Sequence, residues 1–226
     1  MKENQLWVFA IGFSAQLLFA ARMIIQWFQS EKARNSLSPI IFWQLSLVGS
    51  IVFLSYGILR KDFAIVLGQC LVYYIYVRNL HLKNSWMLLP LVFRWVVLMV
   101  PVLTLLYLFS NYPGNIFEIL SNKGISLWLK IWGSIGQIVF TLRFYIQWID
   151  SESQKESILS QRFWLISLIG SAMIVSYALF RRDPVLFLGQ LTGMIVYIRN
   201  LMLLNKVKNR AEATEKRIFD KHKTER

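Results

Sequence analysis

The chain matches itself. Slid by 121 positions and without gaps, 28 of the 72 residues from 11 to 82 recur identically. Gly12, Gln16, Phe19, Arg22, Gln26, Trp27, Ser30 and Glu31 return as Gly133, Gln137, Phe140, Arg143, Gln147, Trp148, Ser151 and Glu152. Phe42, Trp43, Ser46, Gly49, Ser50, Tyr56 and Asp62 return as Phe163, Trp164, Ser167, Gly170, Ser171, Tyr177 and Asp183. Gly68, Gln69, Tyr76, Arg78 and Asn79 return as Gly189, Gln190, Tyr197, Arg199 and Asn200. Unrelated apolar segments share Leu and Ile; shared Gln, Arg, Asn and Trp mark a duplication. Whatever one copy folds into, the other must fold into as well.

Each copy is apolar in three long stretches. With the segment between the copies, the expected spans are 6–28, 40–59, 63–82, 86–109, 126–149, 163–180 and 184–204. Each is long enough, or nearly so, to cross about 30 Å of hydrocarbon at ~1.5 Å per residue. They are too long and too uniformly apolar for barrel strands. Hydrophobic residues make up 56% of the chain, more than a water-soluble core needs. The N-terminal run is expected to be a permanent span, since the same segment recurs internally.

Three spans per copy is an odd number, so a second copy joined directly would insert upside down. The segment 86–109 has no counterpart in the repeat and restores the orientation. The expected fold is therefore an all-α membrane protein with seven transmembrane helices as 3+1+3 parallel repeats. The parts are a first repeat (5–84), a linker helix and outer loop (85–124), a second repeat (125–204) and a basic cytosolic tail (205–226). Short-loop charge puts the N-terminus outside and the C-terminus inside. Lys32, Arg34, Arg78, Lys83, Lys155, Arg162, Arg199 and the tail then face the cytoplasm. Arg60, Lys61, Arg181 and Arg182 stay outside, partly offset by Asp62 and Asp183.

The net charge of +13 sits at span ends and in the tail, so it speaks for membrane orientation and against nucleic acid. Cys70 is the single cysteine, and His81 and His222 are far apart, so no metal site or other cofactor is expected. No phosphate-binding glycine loop or nucleophile–base pair can be placed, and no catalytic residue is assigned.

The repeated polar residues form the candidate site. Gly12, Gln16, Phe19, Arg22 and Gln26 are spaced by three or four and share a helical stripe, as do their counterparts. Gln69 and Tyr76, like Gln190 and Tyr197, share a face of the third span. Gln16, Gln137, Gln69, Gln190, Tyr76 and Tyr197 are candidates for a solute path; helix-to-helix hydrogen bonding is the alternative. Arg22 and Arg143 lie about 9 Å inside their helices. A buried arginine there costs at least about 2.5 kcal/mol unless it snorkels, pairs with Glu31 or Glu152, or meets an anion. Arg22, Arg143, Arg78 and Arg199 are the candidates for a phosphate or sugar-phosphate head group. Trp27, Trp43, Trp148 and Trp164 are expected at the membrane interface. Gly49, Gly68, Gly170 and Gly189 are expected to let helices approach closely. Arg94 is expected to snorkel or to pair with a repeat carboxylate.

The second copy runs Gly-x-x-x-Gln-x-x-Phe-x-x-Arg-Phe-x-x-Gln-Trp from Gly133 to Trp148, then Ser151-Glu152, Arg181-Arg182-Asp183-Pro184-Val185 and Tyr197-Ile198-Arg199-Asn200-Leu201. Each copy resembles the lipid A biosynthesis N-terminal domain; the first departs at Lys61 and Phe63, where the second has Arg182 and Pro184. The resemblance implies a multi-pass protein of the bacterial inner membrane, linked to lipid A metabolism. The domain also occurs ahead of lipid-A-disaccharide synthase catalytic domains. These 226 residues hold no such domain, so synthase activity is not expected of them. The seven-span plan is similar to that of SWEET and PQ-loop carriers. A carrier or flippase-like protein for a glycolipid, lipid-linked sugar or small polar solute is the leading expectation. A non-transporting module for envelope lipid enzymes is the alternative. Membrane lipid or glycolipid is the expected partner.

Overall fold

A computed structural model describes residues 6–60, 63–111, 127–181 and 184–224. These residues form seven α-helices and a 3-10 turn, with no strand among them. The helices are α1 (Leu6–Ala33), α2 (Ile40–Arg60), α3 (Phe63–Leu82), α4 (Leu91–Asn111), α5 (Leu127–Gln154), α6 (Gln161–Arg181) and α7 (Pro184–Thr224). The limits of α5 and α6, and the start of α7, fall 121 residues after those of α1, α2 and α3. Three segments, Trp7–Ala33, Ile40–Leu59 and Gln161–Phe180, are long and apolar enough to cross a membrane. Lys61, Asp62, Arg182 and Asp183 lie outside the described residues, as do the side chains of Arg60 and Arg181 and the surroundings of Gly189.

Around an apolar core, the outer surface carries many large apolar side chains and the interior also holds polar ones. Phe13, Leu17, Phe28, Val92 and Phe180 are exposed, while Gln26, Gln147, Asn79 and Asn200 are fully buried. Apolar exteriors and hydrogen-bonded polar interiors suit a lipid solvent.

Helices α1 and α5 run five residues beyond the expected spans, because Ser30-Glu31 and Ser151-Glu152 stay helical. Both then end in the same way. Arg34 and Lys155 take left-handed φ values of 55° and 54°. Asn35 N–H closes on the Ser30 carbonyl and Glu156 N–H on the Ser151 carbonyl, each at 3.2 Å. This is a Schellman-type stop. Helix α3 stops likewise at Asn84 (φ 58°), a residue suited to that conformation. The tail forms no separate element: α7 continues unbroken to Thr224.

The linker helix begins later than the sequence suggests. Trp86–Leu88 form the 3-10 turn and Leu89 is extended (ψ 143°), because the following Pro90 disfavours a helical conformation there. Inside α4, Pro101 cannot donate to the Val97 carbonyl four residues back. Tyr73 on α3 donates its hydroxyl to that carbonyl at 2.9 Å, and Tyr74 donates to Leu98 at 3.0 Å. The linker is tied to the first repeat where its own ladder is broken.

Within each repeat the helices pack in sequence, α1 on α2 on α3 and α5 on α6 on α7. Glycines set the spacing. A Cβ on Gly170 would fall 2.8 Å from the Phe140 backbone, and one on Gly49 would fall 2.9 Å from the Phe19 ring. Gly68 differs from expectation, since a Cβ there meets nothing within 4 Å. Between repeats, α3 meets α5 and α1 meets α7. One aromatic cluster crosses the boundary, with Tyr76 edge-on to Phe144 at 5.4 Å and Phe144 beside Phe163 at 5.7 Å.

Candidate functional site

Two arginines lie inside this aromatic cluster. Arg22 on α1 and Arg143 on α5 are each only 6% exposed. Arg22 donates through Nη1 to Ser46 Oγ at 2.6 Å, and Ser46 passes its own hydrogen to the Phe42 carbonyl. Arg143 donates through Nη1 to Tyr197 Oη at 3.0 Å. The guanidinium carbon of Arg22 lies 4.7 Å from the Phe19 ring centre and 5.7 Å from that of Tyr76. That of Arg143 lies 3.5 Å from Phe140 and 5.8 Å from Tyr197. Both also lie beside Phe144, at 5.6 and 4.8 Å. Both guanidinium groups therefore border the same ring. Among the described residues neither forms an ion pair. The Nε of each is buried without a hydrogen-bond partner.

Below this pair, towards the ends of α1, α3 and α5, the repeats are joined by swapped polar contacts. Gln26 donates to Asn200 Oδ1 at 2.9 Å, and Asn200 returns a hydrogen bond to Gln26 Oε1 at 3.2 Å. Gln147 donates to Asn79 Oδ1 at 2.7 Å, and Asn79 returns one at 3.0 Å. The same glutamines reach Ser30 and Ser151 one turn on. Those hydroxyls accept from the Leu37 and Ile158 backbone and hold the chain as it leaves each helix. The carboxylates follow the same swap. Arg78 of the first repeat forks onto Glu152 of the second, and Arg199 of the second forks onto Glu31 of the first. Trp148 and Trp27 donate to the same two carboxylates at 3.2 and 3.0 Å. The Arg78 guanidinium, helped by Trp148, holds the Glu152 carboxyl at about 2, well below its ordinary value. Ser38 and Ser157 meet across the seam at 2.9 Å.

The residues expected at the site therefore divide. Arg22, Arg143, Tyr76 and Tyr197 come together at the aromatic cluster. Arg78 and Arg199 are engaged by carboxylates at the seam, and so are not free members of an anion ring. Glu31 and Glu152 pair with those residues and not with Arg22 or Arg143. Gln16 and Gln137 are exposed on α1 and α5, apart from the buried arginines. Gln69 and Gln190 are half-buried; Gln190 accepts from Ser171 at 2.9 Å, while Gln69 Oε1 is buried without a partner.

Trp43 and Trp164 do not sit at an interface. Both are fully buried, with their indole N–H groups on Ser38 and Ser36. Arg94 meets no carboxylate among the described residues; it folds back onto the carbonyls of Leu89 (2.8 Å) and Met87 (3.3 Å). Ser46 carried a signal that was available, a repeated polar residue on a core face. Phe144 carried none, since its counterpart is Met23.

The family model for the Lipid A Biosynthesis N-terminal domain matches the chain twice, at residues 11–81 and 132–202. Lipid-A-disaccharide synthase of Chlamydia felis is 31% identical over 209 residues, covering 88% of this chain and 33% of the relative. The enzyme of the same name from Chlamydia pneumoniae is 30% identical over 207 residues, covering 88% and 34%. That of Chlamydia trachomatis serovar D is 29% identical over 214 residues, covering 89% and 35%. The chain thus spans about a third of the length of these relatives. No solved structure matches significantly.

Proposed function

The chain belongs to the lipid A biosynthesis N-terminal domain family, and from that premise we propose that it is a carrier or flippase-like protein of the bacterial inner membrane. It acts on a glycolipid, lipid-linked sugar or small polar solute of envelope lipid metabolism. Its seven helices cross the bilayer as two parallel repeats with α4 as the orienting span, N-terminus outside and tail in the cytoplasm. Arg34, Lys83, Lys155 and Arg162 then stand on the cytoplasmic side, as the positive-inside rule favours.

The observation that carries this reading is the swapped seam. Two like units meet at one end through paired amides and ion pairs, polar contacts that can part and re-form as the units move. That is the contact rocking units need: closed towards the cytoplasm in this state, with Gln69, Gln190, Tyr76 and Tyr197 lining the path between them. Cys70→Ser with Ser38→Cys and Ser157→Cys tests it in proteoliposomes holding a fluorescent glycolipid. Lipid movement faster than in empty vesicles, stopped by oxidation and restored by reductant, is expected. Movement no faster than in empty vesicles overturns the glycolipid carrier.

The relatives favour a second reading. Their name is that of a synthase of which this chain matches a third, so the chain would serve as a membrane module for a glycolipid enzyme. That reading expects no lipid movement in vesicles, whether the cysteine pair is oxidised or reduced.

A further inference from the structure

We propose that Arg22 and Arg143 together bind one phosphate group, a phosphate ester or inorganic phosphate, in the aromatic cluster between the repeats. The inference rests on the carrier reading for what the ligand is for, while its binding is measured separately.

The first ground is charge. A guanidinium stays protonated in a protein, so both side chains are cations. Each is more than nine-tenths buried, and no ion pair among the described residues involves either. Surrounding rings offset part of the burial, but two neighbouring buried cations without an anion remain unfavourable. An anion between them turns that repulsion into attraction.

The second ground is donors. Each guanidinium carries five N–H bonds, and the structure accounts for one Nη1 contact from each. Both Nε donors are buried and idle. Tyr197 accepts from Arg143 and keeps its own hydrogen to give. Two forks and a phenol suit a tetrahedral group with several anionic oxygens, and two charges match a phosphate dianion. A carboxylate has one charge and two oxygens, which a single guanidinium satisfies.

The third ground is number. The chain is duplicated, yet both guanidinium carbons lie within 5.6 Å of the one ring, Phe144, that has no aromatic counterpart. One shared site beside that ring, and not one site per repeat, is the arrangement proposed. Arg78 and Arg199 are excluded, because Glu152 and Glu31 already occupy their forks.

The test is native mass spectrometry of the full chain, gently extracted, beside melting curves with inorganic phosphate against chloride at equal ionic strength. Arg22→Gln and Arg143→Gln should each weaken retention about ten- to hundredfold. Arg78→Gln should leave it unchanged. Arg22→Lys, which keeps the charge, separates a lost ligand from a lost fold. One phosphate-bearing lipid mass, absent from both glutamine variants, supports the site and identifies its source as a head group. No lipid mass but a saturable rise in melting temperature with phosphate supports a free phosphate. Wild-type protein that shows neither overturns the proposal, as does equal retention by the glutamine variants. Phosphate binding without lipid movement in vesicles leaves the site standing and sinks the lipid carrier.

Discussion

Arg78 and Glu152 are 74 positions apart in the chain and belong to different repeats, yet they pair fork to fork, with Arg78 Nη2 2.8 Å from Glu152 Oε2. Partner identity is the testable content of that pair. Arg78→Glu sets two carboxylates against each other at the seam and should destabilise on the order of 1 kcal/mol, given the partial exposure of both groups. Adding Glu152→Arg should restore most of the melting temperature. Adding Glu31→Arg, the glutamate of the same repeat, should not. Rescue by Glu31→Arg would mean that the repeats pair within themselves.

The amide pairs above the ion pairs are fully buried, so they should cost more to break. Asn79→Leu removes both bonds to Gln147 and an acceptor that Ser157 uses at 2.6 Å. A loss of about 1–3 kcal/mol is expected, from polar atoms left without partners. Asn200→Leu should cost less. No serine hydroxyl donates to Asn200 among the described contacts, and Ser36, the counterpart of Ser157, points to the Leu159 carbonyl. Chemical unfolding in detergent would order the two variants.

The swap itself could not have been read from the sequence. A duplication puts Glu31, Arg78, Glu152 and Arg199 in both copies alike, so pairing within a copy and pairing between copies look identical. Helix positions were legible, because each helix follows a long apolar run. The extra turns of α1 and α5 were not, because Ser-Glu at a helix end reads as a loop until its hydroxyl and carboxylate are seen to be satisfied. Hydrophobicity alone also cannot separate an interfacial tryptophan from one in the core. Trp43 and Trp164 lie inside because Ser38 and Ser36 meet their N–H groups there.

Acid should loosen the seam in a defined window. Glu152 titrates at about 2 in the folded chain against 4.5 when unperturbed, so the folded form binds its proton less readily than the unfolded form. The stability this contributes is complete above about pH 4.5 and is lost as pH falls towards 2. The gap in unfolding midpoint between wild type and Glu152→Gln should hold constant from pH 7 to 5 and then narrow. A constant gap down to pH 3 would mean that Arg78 does not hold this carboxylate.

Three glycines, two of them at helix-packing positions, should respond differently to one methyl group. At Gly170 the added Cβ meets the Phe140 backbone at 2.8 Å, so two helices must separate, and Gly170→Ala should cost about 1–3 kcal/mol. At Gly49 the obstacle is the Phe19 ring at 2.9 Å, a side chain that can turn, so Gly49→Ala should cost less. At Gly68 nothing lies within 4 Å, and alanine is the better helix former by about 0.5–1 kcal/mol. Gly68→Ala should therefore be neutral or stabilising. Melting curves of the three single variants would decide the order. A destabilised Gly68→Ala would mean that a lipid or a second chain packs against α3 at that point.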